Sequence, residues 1–197
     1  MAELALIADA LVRATPLILA GLAVAFAFRG GVFNIGAEGQ LLMGATASTA
    51  VTLLLGASLG RFTLVVAMLA AAVAGGVWAG IAAELRRRFH VLEIISTIML
   101  NFIAIHLVSF LVRGPLEEPT RIYPQTLTIP ADTRLPVVLP GTRLHLGFVI
   151  AVAFGLLLTW FFRQTAVGFR VRAVGASPGA AWSTGKVRVD ATMVMVF

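Results

Sequence analysis

The feature that most restricts how this chain can fold is a succession of uncharged, strongly apolar runs, each near the length of a membrane crossing. A helix spanning a hydrocarbon core of ~30 Å needs about 20 mostly apolar residues. Four runs meet that length: Gly39 to Gly60, Phe62 to Ala83, Ile94 to Val112 and Leu144 to Phe162. A fifth, from Thr15 to Ala37, is interrupted by Arg29-Gly30-Gly31, and a sixth begins near Ala191 and reaches Phe197 after about two turns. Hydrophobic types make up 59% of the 197 residues and charged types 12%, more apolar surface than a soluble core of this size could hide. The expected fold class is therefore all-α: a polytopic transmembrane helical bundle with a broken helix early in the chain, forming one partial membrane domain over 1–197.

The net charge of +6 does not point to nucleic acid, because the cations sit in short gaps between uncharged runs instead of gathering on one soluble face. They fit the positive-inside rule better. Arg86, Arg87 and Arg88 fall in one connection, and Arg163, Arg170, Arg172, Lys186 and Arg188 fall in the segment 163–190, two crossings later. Both segments are thus expected on the cytoplasmic side of the cell inner (plasma) membrane. The stretch 113–143, with six of the eight prolines, is then an external loop with no sustained helix. Small-residue spacings at Gly76-x-x-x-Gly80 and Gly56-x-x-x-Gly60 predict close helix contacts.

Two segments carry candidate function. Around the interruption, Gly36 permits irregular backbone, and Asn34, Glu38 and Gln40 place polar groups beside it. Such backbone survives at membrane depth only where protein buries it or water reaches it, so these residues are candidate lining of a translocation path. Glu38 has two readings of similar weight: an intramembrane carboxylate with a transport role, or an acid in the first turn of the next helix. Asn101 and His106 lie inside the fourth crossing, where interhelical hydrogen bonding is the simpler role and transport the alternative. The second segment follows Phe162. Ser177 can cap a short helix begun by Pro178 and stopped by Gly185. Two turns cannot stand alone in water and need a surface to dock on, with Ala180 and Ala181 as a small face and Trp182 at its rim.

Enzymatic motifs are missing. Gly185-Lys186 lacks the upstream glycine and the following Ser/Thr of a phosphate-binding loop, and His90, His106 and His145 are scattered, with no metal-ligand spacing.

The runs GLAVAFAFRGGVFNIGAEGQLLMGA, ISTIMLNFIA, LVRGP and GFRVRAVGASPGAA, in this order, resemble the membrane permease subunits of ABC importers for simple sugars and nucleosides, relatives of the ribose and branched-chain amino-acid permeases. The resemblance covers almost the whole chain, and F-N-I-G-x-E-G-Q is its most specific part. It implies an all-helical fold of about ten crossings, of which this chain would hold a part truncated at both ends. It implies a solute path fed by an extracytoplasmic solute-binding protein, a second permease subunit completing the pore, and a separate ATPase that binds the ATP and magnesium, with no cofactor in this chain. Arg172, Ala173, Gly175, Pro178, Ala180, Ala181 and Gly185 match the core of that family's coupling loop, which docks on the ATPase. A reading of another class, a proton-coupled secondary transporter or channel using Glu38 and His106, needs no ATPase.

Overall fold

A computed structural model describes residues 2–183 and 189–197. Among them are eight α-helices: α1 (Ala2–Arg29), α2 (Ala37–Leu59), α3 (Phe62–Phe89), α4 (Glu93–Val112), α5 (Leu146–Gln164), α6 (Ala166–Ala176), α7 (Pro178–Ser183) and α8 (Val189–Met195). The first five are long and apolar enough to cross a membrane. They divide between two compact units, one made of residues 1–34 and 135–197, the other of residues 35–134.

In the first unit, α1 packs against α5 and α6, while α8 packs against α6. The helix α1 starts well before Thr15. Its 28 residues reach about 42 Å, so the segment up to Arg29 is a complete crossing by itself and not half of a broken one. Asp9 and Arg13 lie within α1, because a charge near a helix end does not terminate it. Pro16 sits inside α1, and the Thr15 hydroxyl just before it donates to the Leu11 carbonyl at 2.9 Å.

The interruption itself begins as a helix terminus. Val32 N–H donates to the Ala27 carbonyl and Gly31 N–H to the Phe28 carbonyl, both at 3.1 Å, the paired bonds of a Schellman ending. Gly31 takes φ +77° at the left-handed position such an ending requires. Val32 then turns inward and joins Ala27, Val171 and Val196 in a buried apolar cluster. The aromatic rings of Phe26, Phe161 and Phe162 extend that contact between α1 and α5, with centroids 5.4 to 6.0 Å apart.

In the second unit, α2 is held between α3 and α4. The close contact with α3 runs through Gly44, where an added Cβ would lie 3.0 Å from the Ala71 carbonyl, and Gly75, where it would lie 3.2 Å from the Gln40 carbonyl. This corrects the small-residue expectation. Among the described residues, an added Cβ would meet nothing within 4 Å at Gly76, Gly80 or Gly60, and at Gly56 only the Thr133 and Pro130 side chains, at 3.7 and 3.9 Å. Sequence spacing marks which glycines could allow close approach, but the rotation of α3 about its own axis decides which ones do. Arg86 pairs with Glu93 at 2.7 Å across the short turn joining α3 to α4.

The prolines of 113–143 keep that stretch free of α-helix. It holds a 3-10 turn at Ala131–Thr133 and an isolated antiparallel bridge between Val137 and His145. Residues up to 134 belong to the second unit and the rest to the first.

Candidate functional site

In the second unit the start of α2 is assembled by α4. Gly36, the residue ahead of α2, is buried and has no side chain with which to cap the helix. Asn101 supplies the cap from 62 residues away: its Oδ1 accepts from Gly39 N–H at 2.8 Å. Its Nδ2 donates to the Ile35 carbonyl at 3.0 Å. One turn earlier on the same face of α4, the Thr97 hydroxyl accepts from Ile35 N–H at 3.3 Å and donates to the Glu93 carbonyl at 2.7 Å. A two-residue polar stripe on α4 therefore grips the backbone just before and just inside α2.

Gly39 is obligatory in this arrangement. A Cβ there would lie 2.8 Å from Asn101 Oδ1 and 3.1 Å from Trp78 Nε1. That indole N–H is buried and has no hydrogen-bond partner among the described residues, a donor left unused at the α2 entrance.

The other expected site residues fall in both units. Glu38 is exposed in the first turn of α2, where its charge favours the helix dipole, and Gln40 follows two residues later, half-buried. His106 lies five residues beyond Asn101, about 7.5 Å further along α4 and ~140° around it, on an exposed face away from the clamp. Asn34 ends the first unit and is buried, its N–H donating to the Val32 carbonyl at 3.1 Å.

The segment after Phe162, expected as a coupling loop over 163–190, begins with the helix α6. Thr165 caps it, accepting from Gly168 N–H at 2.9 Å, and that Thr-x-x-Gly start was the available signal. Val171 and Val174 bury one face of α6. Gly175 lies directly against the end of α1: a Cβ on it would fall 2.2 Å from the Arg29 carbonyl oxygen and 3.0 Å from Gly31 N. Ala173, half-buried, lies on the same helix.

After α6, Ser177 Oγ accepts from Ala180 N–H at 3.3 Å and Pro178 opens α7. Ala181 is buried within the chain, so the small face expected to dock is divided: Ala181 holds α7 in place, while Pro178, Gly179, Ala180 and Trp182 are exposed. Trp182, at 75% exposure, presents the largest apolar side chain of α7. Gly185 lies outside the described residues. Arg172 points to none of these. It lines a cavity of about 380 Å³ together with Arg29 and Arg163.

Comparison with known proteins agrees with this architecture. The model of the family described as "branched-chain amino acid transport system / permease component" matches residues 6–197. The chain belongs to this permease family. It is a multi-pass protein of the inner (plasma) membrane. Among its relatives, the glucose ABC transporter permease protein TsgB13 of Haloferax volcanii is 42% identical over 191 residues, covering 91% of this chain and 50% of the relative. The guanosine ABC transporter permease protein NupP of Bacillus subtilis is 37% identical over 187 residues, covering 93% and 53%. The nucleoside ABC transporter permease protein NupB of Lactococcus lactis is 28% identical over 179 residues, covering 86% and 49%. The chain thus spans about half the length of the curated relatives it matches. No solved structure matches it.

Proposed function

We propose that the chain is a transmembrane permease component of an ATP-binding-cassette importer, carrying a simple sugar or a nucleoside and driven by a separate ATPase. The observation that supports this best is α7: a six-residue helix, too short to persist alone, fixed to its own protein by buried Ala181 and offering Pro178, Ala180 and Trp182 outward. A short helix held on one side and bare on the other suits seating in a groove of a partner. The ATPase binds ATP and magnesium, and this chain contributes no catalytic or cofactor site. A second permease subunit completes the pore, and an extracytoplasmic binding protein delivers the solute. Family membership over nearly the whole chain and the sugar and nucleoside permeases among its relatives support the solute class.

The stroke of the ATPase enters through α7, passes to α6, and reaches the end of α1 through the backbone contact at Gly175. The test is Ala180→Asp in the transporter assembled with its ATPase. An exposed alanine tolerates aspartate in the free protein, so the chain should still insert and fold, while a charge driven into the docking groove uncouples ATP hydrolysis from uptake. Solute-stimulated hydrolysis should fall at least about tenfold, equivalent to about 1.4 kcal/mol at the interface. Wild-type coupling would defeat the assignment. Ala181→Asp is a poor probe, because it places the charge inside the protein's own packing.

The path for solute in this reading passes the α2 entrance, where Gly36, Glu38, Gln40, Asn101 and the unused Trp78 donor supply polar groups. Glu38→Gln keeps size and removes charge. A change in the concentration dependence of uptake, with stability altered by about 1 kcal/mol or less, supports a place on the path; unchanged uptake leaves Glu38 with the helix-dipole role alone.

A further inference from the structure

Three arginines from three helices line the cavity of the first unit. Arg29 comes from the last turn of α1, Arg163 from the last turn of α5 and Arg172 from α6, around a volume of about 380 Å³. None of the ion pairs among the described residues includes any of them. Arg29 does lie over the Phe162 ring at 5.8 Å, which orients it without neutralising it. The two helix C-termini contribute roughly half a negative charge each. Against three full positive charges, this leaves the cavity strongly cationic.

The floor of the same cavity is greasy. Leu22, Phe26 and Leu158 line it, and these three also line an adjoining apolar groove of about 390 Å³. The two spaces thus adjoin at these side chains, an arginine-lined cavity beside an apolar groove between α1 and α5. Soluble anions have no use for such a groove, and a neutral lipid has no use for three arginines. A molecule that joins an anionic headgroup such as phosphate to a fatty chain uses both halves.

We propose that this cavity and its adjoining groove are a specific binding site for an anionic phospholipid. The phosphate is held by Arg29, Arg163 and Arg172, with an acyl chain along Leu22, Phe26 and Leu158. Guanidinium forks match phosphate oxygens in bidentate fashion, and their spacing on three different helices makes the lipid a tie between α1, α5 and α6. The expected cytoplasmic placement of residues 163–190 puts the arginine-lined cavity at the leaflet surface that carries anionic lipid. Because α6 carries α7, the lipid would set how firmly the coupling segment is held, yet its binding requires neither ATPase nor solute.

The experiment uses the purified, delipidated full chain in a neutral detergent, offered equal amounts of phosphatidylglycerol and phosphatidylcholine, with retained lipid counted by native mass spectrometry. Phosphatidylglycerol should be retained preferentially. Each Arg→Gln change should weaken that preference about fivefold, and R29Q/R163Q/R172Q together about a hundredfold. The matching triple lysine variant should keep most of the preference, which separates loss of charge from loss of fold. Leu158→Trp, which fills the groove and leaves the arginines untouched, should lower retention as well. Equal retention of the two lipids by the wild-type chain overturns the proposal. So does displacement of bound lipid by millimolar glycerol phosphate, which would make the cavity a site for free anions only, and so does unchanged retention in the folded triple glutamine variant.

Discussion

Gly175→Val is expected to be the most damaging single change in the first unit. The added Cβ would stand 2.2 Å from the Arg29 carbonyl oxygen and 2.9 Å from its carbon. Both are backbone atoms, so no side-chain rotation relieves the clash, and α6 must move away from α1. Overpacking of a tight contact usually costs 1–3 kcal/mol, and a clash with backbone belongs at the upper end, about 3 kcal/mol. For a chain of this length that corresponds to a fall of roughly 6–12 °C in the melting midpoint, measurable on the purified protein in detergent. Coupled transport should fail alongside it, because the same movement displaces α7. The control is Gly76→Ala, where nothing lies within 4 Å. It should be neutral or stabilising by up to about 1 kcal/mol, as for any open helical glycine. Equal effects at the two positions would mean that α6 does not rest on the end of α1.

In the second unit the largest effect is expected from Asn101→Leu. Leucine fills nearly the same space but strips Gly39 N–H and the Ile35 carbonyl of their partner. In a water-poor setting each orphaned backbone group costs about 1–3 kcal/mol, giving roughly 2–6 kcal/mol together. Thr97→Val removes the acceptor for Ile35 N–H alone and should cost about 1–2 kcal/mol. A local readout distinguishes this from general damage: hydrogen exchange at the Gly39 amide should accelerate strongly in the leucine variant and little in the valine one. An amide at Gly39 that exchanges no faster without Asn101 would show that α2 finds its cap elsewhere.

The clamp also explains why the α2 entrance is only partly readable in the sequence. A linear reading singles out Gly36 for irregular backbone and Asn101 for an interhelical hydrogen bond, but it does not pair them with each other or with Gly39 and Thr97. Their meaning lies in the 62 residues separating Ile35 from Thr97 and Gly39 from Asn101. The i, i+4 spacing of Thr97 and Asn101 was the one local hint, because it puts both on a single helix face. At the coupling segment, local chemistry was more generous. Ser177 and Pro178 mark the start of α7 by capping rules, and the structure begins it there. Those rules could not say that Ala181 turns inward and Ala180 outward, which depends on how α6 presents α7.

By itself, then, the order of residues determined that this chain lives in a membrane, where four of its five long helices lie and where helix gives way to irregular backbone. Apolar length and proline placement act within a few turns, and in lipid they decide whether backbone groups can satisfy one another. Tertiary structure alone decided which glycines are contacts, which asparagine caps a distant helix, and that three arginines spread over 144 positions share one cavity. Those outcomes depend on helix rotation and pairing, and within a bilayer many rotations satisfy the same apolar pattern, so only direct packing selects one.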